Sequence, residues 1–164
     1  MNYGAPGSRV GIGYDLHRLV PGRPLFVGTV QVPYTFGLFG HSDGDVLCHA
    51  IADALLGAAA LGEIGVHFPD SDPRWKGISG ASILDRVVVL LAGGGFRVGN
   101  VDATLIAERP RLAIHRDAMI SGIAGALGID PARVSVKIKS NEGCDATGRG
   151  EAIAAQAVAL VEAL

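Results

Sequence analysis

Asp15 and His17 stand one residue apart in Gly13-Tyr-Asp-Leu-His17, and a single His49 follows inside a segment of helical pattern. Side chains two apart in a strand leave from the same side, so an extended Val10 to Leu16 sets Asp15 and His17 next to each other. A helical His49 can then complete three protein ligands, which requires a strand and a helix to meet at that point. Three N/O ligands leave a fourth position for water or a substrate oxygen, the pattern of catalytic zinc; structural zinc is usually saturated by cysteines. The constellation is therefore read as chemical rather than architectural.

At 164 residues the chain fits one domain with a core of its own. The expectation is a loosely ordered tail over 1–8 and one catalytic domain over 9–164. Net charge is −2 with 18% charged residues, which offers no basic field for nucleic acid and no polybasic run for an anionic membrane. Cys48 and Cys144 are the only cysteines, far apart and without paired-ligand spacing, so neither a disulfide framework nor a cysteine metal site is expected. Met1 to Ser8 lacks an apolar signal core, and the apolar runs elsewhere are too short or too interrupted to span a bilayer. A soluble protein of the reducing cytoplasm is the expectation.

Strand patterns run from Arg9 to Leu16 and Leu25 to Val32, separated by Pro21-Gly22-Arg23-Pro24. Ser42 and Asp45 form a Ser-x-x-Asp start signal for a helix over about Gly44 to Leu61, which Gly62 stops. Asp45, His49 and Asp53 are spaced by four and share one stripe of it. Gly65 to Gly77 is a proline-broken loop. Helices are expected over Ser79 to Ala92, Ala113 to Leu127 (capped by Gly128) and Glu151 to Glu162, with strands over Arg97 to Ala107 and Val134 to Lys139. This order predicts an α/β (α+β) sandwich: a mixed sheet of about four strands with helices mainly on one face. Both faces of Val134 to Lys139 need an environment, and homo-oligomerisation through the sheets would supply one.

Beyond Asp15-Leu16-His17, the chain carries Gly40-His-Ser-Asp-Gly-Asp45 with His49, the run Asp53 to Gly65, Phe68-Pro-Asp-Ser-Asp-Pro73, Gly99-Asn-Val-Asp102 and Thr147-Gly-Arg-Gly-Glu151. In this order the motifs resemble the 2-C-methyl-D-erythritol 2,4-cyclodiphosphate synthase family over nearly the whole chain. The resemblance implies a homotrimer with active sites between subunits and a zinc (or manganese) ion on Asp15, His17 and His49. It implies a phosphorus–oxygen lyase acting on a cytidine-diphosphate-linked substrate, 4-diphosphocytidyl-2-C-methyl-D-erythritol 2-phosphate. The 2-phosphate attacks the β-phosphorus and CMP leaves, giving a cyclic diphosphate of the non-mevalonate isoprenoid pathway.

Carried over residue by residue, His41 and Ser42 fall beside the phosphates, with His41 and Ser140 in catalytic roles. Glu63, Ile64 and Gly65, and Phe68, Pro69, Asp70, Ser71 and Asp72, match the loops that hold the methylerythritol portion, although Asp72 also reads as an Asx-turn. Ala107, Glu108, Arg109, Pro110, Arg111, Leu112 and Ala113 match the cytidine segment. Glu142 matches a carboxylate for magnesium or manganese on the diphosphate. Here the chain departs from the family: Lys139-Ser140-Asn141-Glu142 replaces a Thr-Thr-Ser/Thr-Glu run, and Gly143-Cys144-Asp145-Ala146 follows it. Lys139 either strengthens diphosphate binding or pairs with an acid. Asp45 either orients His49 or serves the helix N-terminus, and Asp53 is equally a structural acceptor. Ala146 and Arg149 lie near a trimer axis where an isoprenoid diphosphate is one reading for Arg149 and an ion pair between subunits the other. Trp75, His67 and His115 read as packing, loop or helix-end residues. A metal-dependent phosphohydrolase and a non-catalytic nucleotide binder are the competing functions.

Overall fold

The computed structural model describes residues 7–164. Seven strands are present: β1 Ser8–Pro21, β2 Leu25–Val27, β3 Val30–Val32, β4 Phe36–Leu38, β5 Phe96–Ile106, β6 Val134–Lys139 and β7 Ala152–Ala163. The helices are α1 Val46–Ala58, α2 Ile64–His67, α3 Gly80–Gly93, α4 Arg116–Leu127 and α5 Asp145–Gly148. Five strands form one mixed sheet in the order β4-β1-β7-β5-β6, parallel only between β5 and β6. The three long helices cover one face of it, α1 over β1 and β7, α4 over β6, and α3 between them. The tail expected over 1–8 lies outside the described residues except for its last two positions, and Ser8 already opens β1.

The principal correction is the last element. The segment expected as a helix over 151–162 is β7, sitting between β1 and β5 at the centre of the sheet. Its alanines favour a helix by intrinsic propensity, but they also alternate: Ile153, Ala155, Ala157, Ala159 and Val161 are buried while Gln156 and Val158 are exposed. Period two beats propensity because α1 lies too close to this face for larger side chains. A second correction concerns Leu25 to Val32, which is a separate two-stranded hairpin. It turns at Gly28 and Thr29, both at positive φ (58° and 69°), the backbone a tight hairpin turn requires. The count of about four strands thus becomes five in the main sheet, β4 being a short addition that pairs Leu38 with Leu19.

Helix α1 is almost wholly buried and rests on β1 at two glycines. A Cβ added at Gly11 would stand 2.0 Å from Ala54 O, and one at Gly13 would stand 1.9 Å from Ala50 O. Ala50, Ala54 and Ala58, four apart, are the matching small stripe on the helix. The helix begins at Asp45 rather than at Ser42: the Asp45 carboxylate accepts the Cys48 N–H at 3.1 Å, and those of Gly28 and Thr29 at 2.8 and 2.7 Å. It therefore serves the helix N-terminus and pins the β2–β3 turn, and does not orient the His49 ring. The helix ends at Ala58 in a Schellman motif with Ala60 at positive φ, Leu61 N–H reaching Leu56 O at 2.9 Å. Gly128 caps α4 as expected. Among the described residues no helix is long and apolar enough to cross a membrane.

Because Gly13 leaves no room beside Ala50, Gly13→Ala is expected to cost about 1–3 kcal/mol of unfolding free energy, measured by urea denaturation. Gly57→Ala, where nothing lies within 4 Å of the new Cβ, should be neutral or stabilising by up to about 1 kcal/mol. Equal effects of the two changes would refute the close-approach account.

Candidate active site

On β1 the residues facing α1 run Gly11, Gly13, Asp15, His17, so the strand gives up its two glycines where the helix is closest and places two ligating side chains just beyond. His49 comes from the first turn of α1. Asp15 Oδ2 lies 2.8 Å from His17 Nε2 and 2.9 Å from His49 Nδ1, and the two ring nitrogens are 3.2 Å apart. Ligands at zinc's usual distances stand roughly 3.3 Å apart at the corners of a tetrahedron, so this triangle is one small expansion away from a coordination face. It is the one cluster of its kind among the described residues.

The far nitrogens support the same use. His17 Nδ1 meets Phe39 O, and a carbonyl only accepts, so Nδ1 carries a proton, and Nε2 is the nitrogen that offers a lone pair to a cation once its own proton has left. His49 Nε2 meets Ser42 Oγ at 3.1 Å. Each imidazole is thus held from behind, and the donor set of one carboxylate and two imidazoles can hold a divalent cation.

Without a cation the three groups satisfy one another. Burial pushes the Asp15 carboxyl up, but hydrogen bonds from His17 and His49, and then their charge, outweigh it and hold it well below the usual carboxylate range. Burial pushes His17 down, but the Asp15 hydrogen bond and charge together with Phe39 O raise it above its ordinary value. The proton on His17 and a cation therefore compete for one position.

The cluster forms part of the wall of a cleft of about 550 Å³, which His41, Ser42, Ile64, Gly65, Phe68, Pro69 and Asp70 also line. His41 Nδ1 lies 3.9 Å from Asp70. Asp53 lines the cleft and accepts Ile64 N–H at 2.7 Å, fixing the Glu63–Gly65 corner; burial pushes its carboxyl up. Glu63, Ser71 and Asp72 are not in the lining. Asp72 instead caps the turn at Pro73, accepting Arg74 N–H at 3.0 Å and its guanidinium as well. Phe39, Trp75, Ile78 and Ile83 line the cleft although nothing in their sequence context marked them. Trp75 packs edge to face on Phe68 as well, with ring centroids 5.3 Å apart. His67 Nε2 donates to Leu61 O at 2.8 Å, a helix-end role.

Ala107 to Ala113, Lys139 to Glu142, Ala146 and Arg149 do not line this cleft. They lie at the same end of the sheet: Ile106 pairs with Ala154, which pairs with Leu16. The two segments are tied together by Ala107 N–H to Lys139 O at 2.9 Å and by the Ser140 hydroxyl, which donates to Glu108 and accepts Glu142 N–H at 2.9 Å. Lys139 is exposed at the end of β6. Arg149 pairs with Glu151 of its own chain at 2.9 Å. Cys48 is buried and Cys144 exposed, and among the described residues neither joins a metal-ligating cluster.

A mixed sheet backed by helices on one face, with a carboxylate and two imidazoles gathered in a cleft at its end, defines an α+β enzyme whose cleft carries a cluster able to hold a divalent cation. The model of the YgbB family matches residues 8–162, and the chain belongs to that family. It is 58% identical over 154 residues to the 2-C-methyl-D-erythritol 2,4-cyclodiphosphate synthase of Dechloromonas aromatica, covering 94% of this chain and 96% of that one. The Gloeobacter violaceus synthase is 52% identical over 162 residues, 99% of both chains. Among solved structures, IspF of Plasmodium falciparum in complex with CDP superposes with a TM-score of 0.84 at 31% identity, over 98% of this chain and 99% of that one.

Binding of a cation should displace the His17 proton, so affinity is full above the raised His17 pKa. Below it, affinity should fall by about tenfold per pH unit for one displaced proton. Zinc titration against a chromophoric chelator between about pH 8 and about pH 5 measures this; a flat profile would contradict the shared position.

Proposed function

We propose that the chain carries out the reaction for which its relatives are named. It takes 4-diphosphocytidyl-2-C-methyl-D-erythritol 2-phosphate and forms 2-C-methyl-D-erythritol 2,4-cyclodiphosphate. A 2-phosphate oxygen bonds to the β-phosphorus, the bond from that phosphorus to the bridging oxygen breaks, and CMP departs with the electron pair. The observation that carries the reading is the convergence of Asp15, His17 and His49 beside His41 and Ser42 in one cleft.

The attacking oxygen is already anionic at neutral pH, so the obstacle is repulsion between phosphates rather than a missing base. Zinc, or manganese, on Asp15, His17 and His49 supplies positive charge and polarises phosphorus when bound. The chain's own part is orientation. His41 and Ser42 present donors to the phosphates, and Ile64, Gly65, Phe68 and Asp70 wall in the polyol. Holding both ends of one tethered molecule in line recovers roughly 7–11 kcal/mol of barrier in well-oriented intramolecular reactions. The apolar wall of Phe68, Trp75, Ile78 and Ile83 keeps water from the diphosphate.

The cytidine segment Ala107 to Ala113 and the Lys139 to Glu142 loop, with magnesium or manganese at Glu142, serve a neighbouring subunit's cleft in a homotrimer. Support for assembly comes from the uncovered sheet face, where Val10, Ile12, Tyr14 and Leu16 of β1 and Val158 of β7 are 41–72% exposed. Arg149 near the trimer axis would take an isoprenoid diphosphate, and the cytoplasm is the compartment that fits two unpaired cysteines.

Incubation with the substrate should give cyclic diphosphate and CMP by phosphorus NMR; linear hydrolysis products would instead point to a phosphohydrolase. Asp15→Asn should lower turnover by at least about a hundredfold with the circular dichroism spectrum intact. Ile12→Glu should shift the mass in sedimentation from three subunits toward one, and an unchanged mass would exclude assembly through this face.

A further inference from the structure

Arg23 enters the reading of the sequence only as part of the Pro21-Gly22-Arg23-Pro24 turn, and no chemistry is assigned to it there. It sits on the turn after β1, and that turn is pinned: a Cβ added at Gly37 of β4 would stand 2.3 Å from Pro24 O and 2.6 Å from Arg23 O. From this anchored backbone the half-buried guanidinium reaches the loop that joins β4 to α1. Nη1 donates to Gly40 O at 3.0 Å and Nη2 to Ser42 O at 2.9 Å. The two carbonyls bracket His41.

The neighbouring carbonyls are held as well. His41 O accepts Gly77 N–H at 2.9 Å, and Phe39 O accepts from the His17 ring. Four successive carbonyls, 39 to 42, are thus committed to donors of the protein. Among the described residues no acceptor takes the N–H groups of Gly40, His41 or Ser42. Fixing the carbonyls fixes the peptide planes, and with them the direction of the His41 ring, the Ser42 hydroxyl and the amides between.

We propose that Arg23 is a positioning residue for the reaction, its planar fork bridging the peptides on either side of His41 and holding His41 and Ser42 toward the cleft. This rests on the function proposed above. A lysine keeps the charge but offers a point donor that cannot span both carbonyls in one plane. Arg23 also lines a second cavity of about 540 Å³ that shares His41 and Ser42 with the metal cleft. Through that opening a small cation could reach the position an absent guanidinium leaves.

The test compares Arg23→Ala and Arg23→Lys in the full-length chain with the wild type. Both variants are expected to lose about ten- to a hundredfold in kcat, the scale of a small misplacement of reacting groups, with KM little changed and zinc content equal to wild type. Exchange of the bonded amides on and against this loop, those of Phe39, Asp43 and Gly77, should quicken in both. Millimolar guanidinium ion should restore part of kcat to Arg23→Ala and none to Arg23→Lys. The proposal is overturned by Arg23→Lys turning over at the wild-type rate, by unchanged exchange and kcat in Arg23→Ala, or by activity lost only in step with zinc. A wild type that forms no cyclic diphosphate refutes the reaction instead, and the exchange comparison then judges the clamp by itself.

Discussion

The approach of α1 to β1 across bare glycine is the constraint from which the site follows. Gly11 and Gly13 let helix carbonyls lie where side chains would otherwise stand, and the same closeness demands the alanines at 155, 157 and 159 of β7. With the helix that near, the first residues able to carry a full side chain on this face of β1 are Asp15 and His17, and they meet His49 as soon as α1 has begun. A wider strand-to-helix spacing would separate the carboxylate and the two rings by more than one ion can bridge. The metal site and the packing of the core are therefore one feature viewed from two ends.

The same compression sets the electrostatics. Three ionisable groups share a small, partly buried space, and burial opposes charge on Asp15 and His17. Asp15 stays ionised because both imidazoles donate to it, and His17 holds its proton because Asp15 is charged. This leaves a site that is satisfied before a cation arrives and satisfied differently afterwards, with the ring orientations already held from behind by Phe39 O and the Ser42 hydroxyl. Little reorganisation separates the two states, which is what preorganisation means here.

How much of this could be read in the sequence depended on whether a signal was local. Asp-x-His on a strand and His49 on a helix were legible because both periodicities are short-range, as was the cap at Gly128. The one serious misreading, a helix over 151–162, came from trusting alanine's propensity where the alternation of Ala157, Val158 and Ala159 carried the better signal. Alanine is there because of what lies above it, which no window of sequence contains. Arg23 was invisible for a related reason. Its partners are carbonyls, and every residue has one, so no side-chain pattern announces a clamp. Asp72 fits both a binding motif and an Asx-turn, and the turn is the part visible in the fold, its carboxylate accepting from Arg74.

What remains is why one chain should carry the two sets of residues proposed to meet the phosphates so far apart. Leu16 of β1 and Ile106 at the end of β5 lie level with one another, with β7 between them, and the loops that follow β5 and β6 do not line the cleft. Within the single chain the cleft is lined by the Asp15, His17 and His49 cluster and by Ile64, Gly65, Phe68 and Asp70, and by none of Ala107 to Ala113. Joining copies through the apolar face of β1 and β7 would cover surface that water now meets and would bring one chain's β5–β6 loops toward another's cleft. On that account assembly and activity have a common cause: the sheet face left bare by one-sided helix packing is the same face that must be buried before the site is complete.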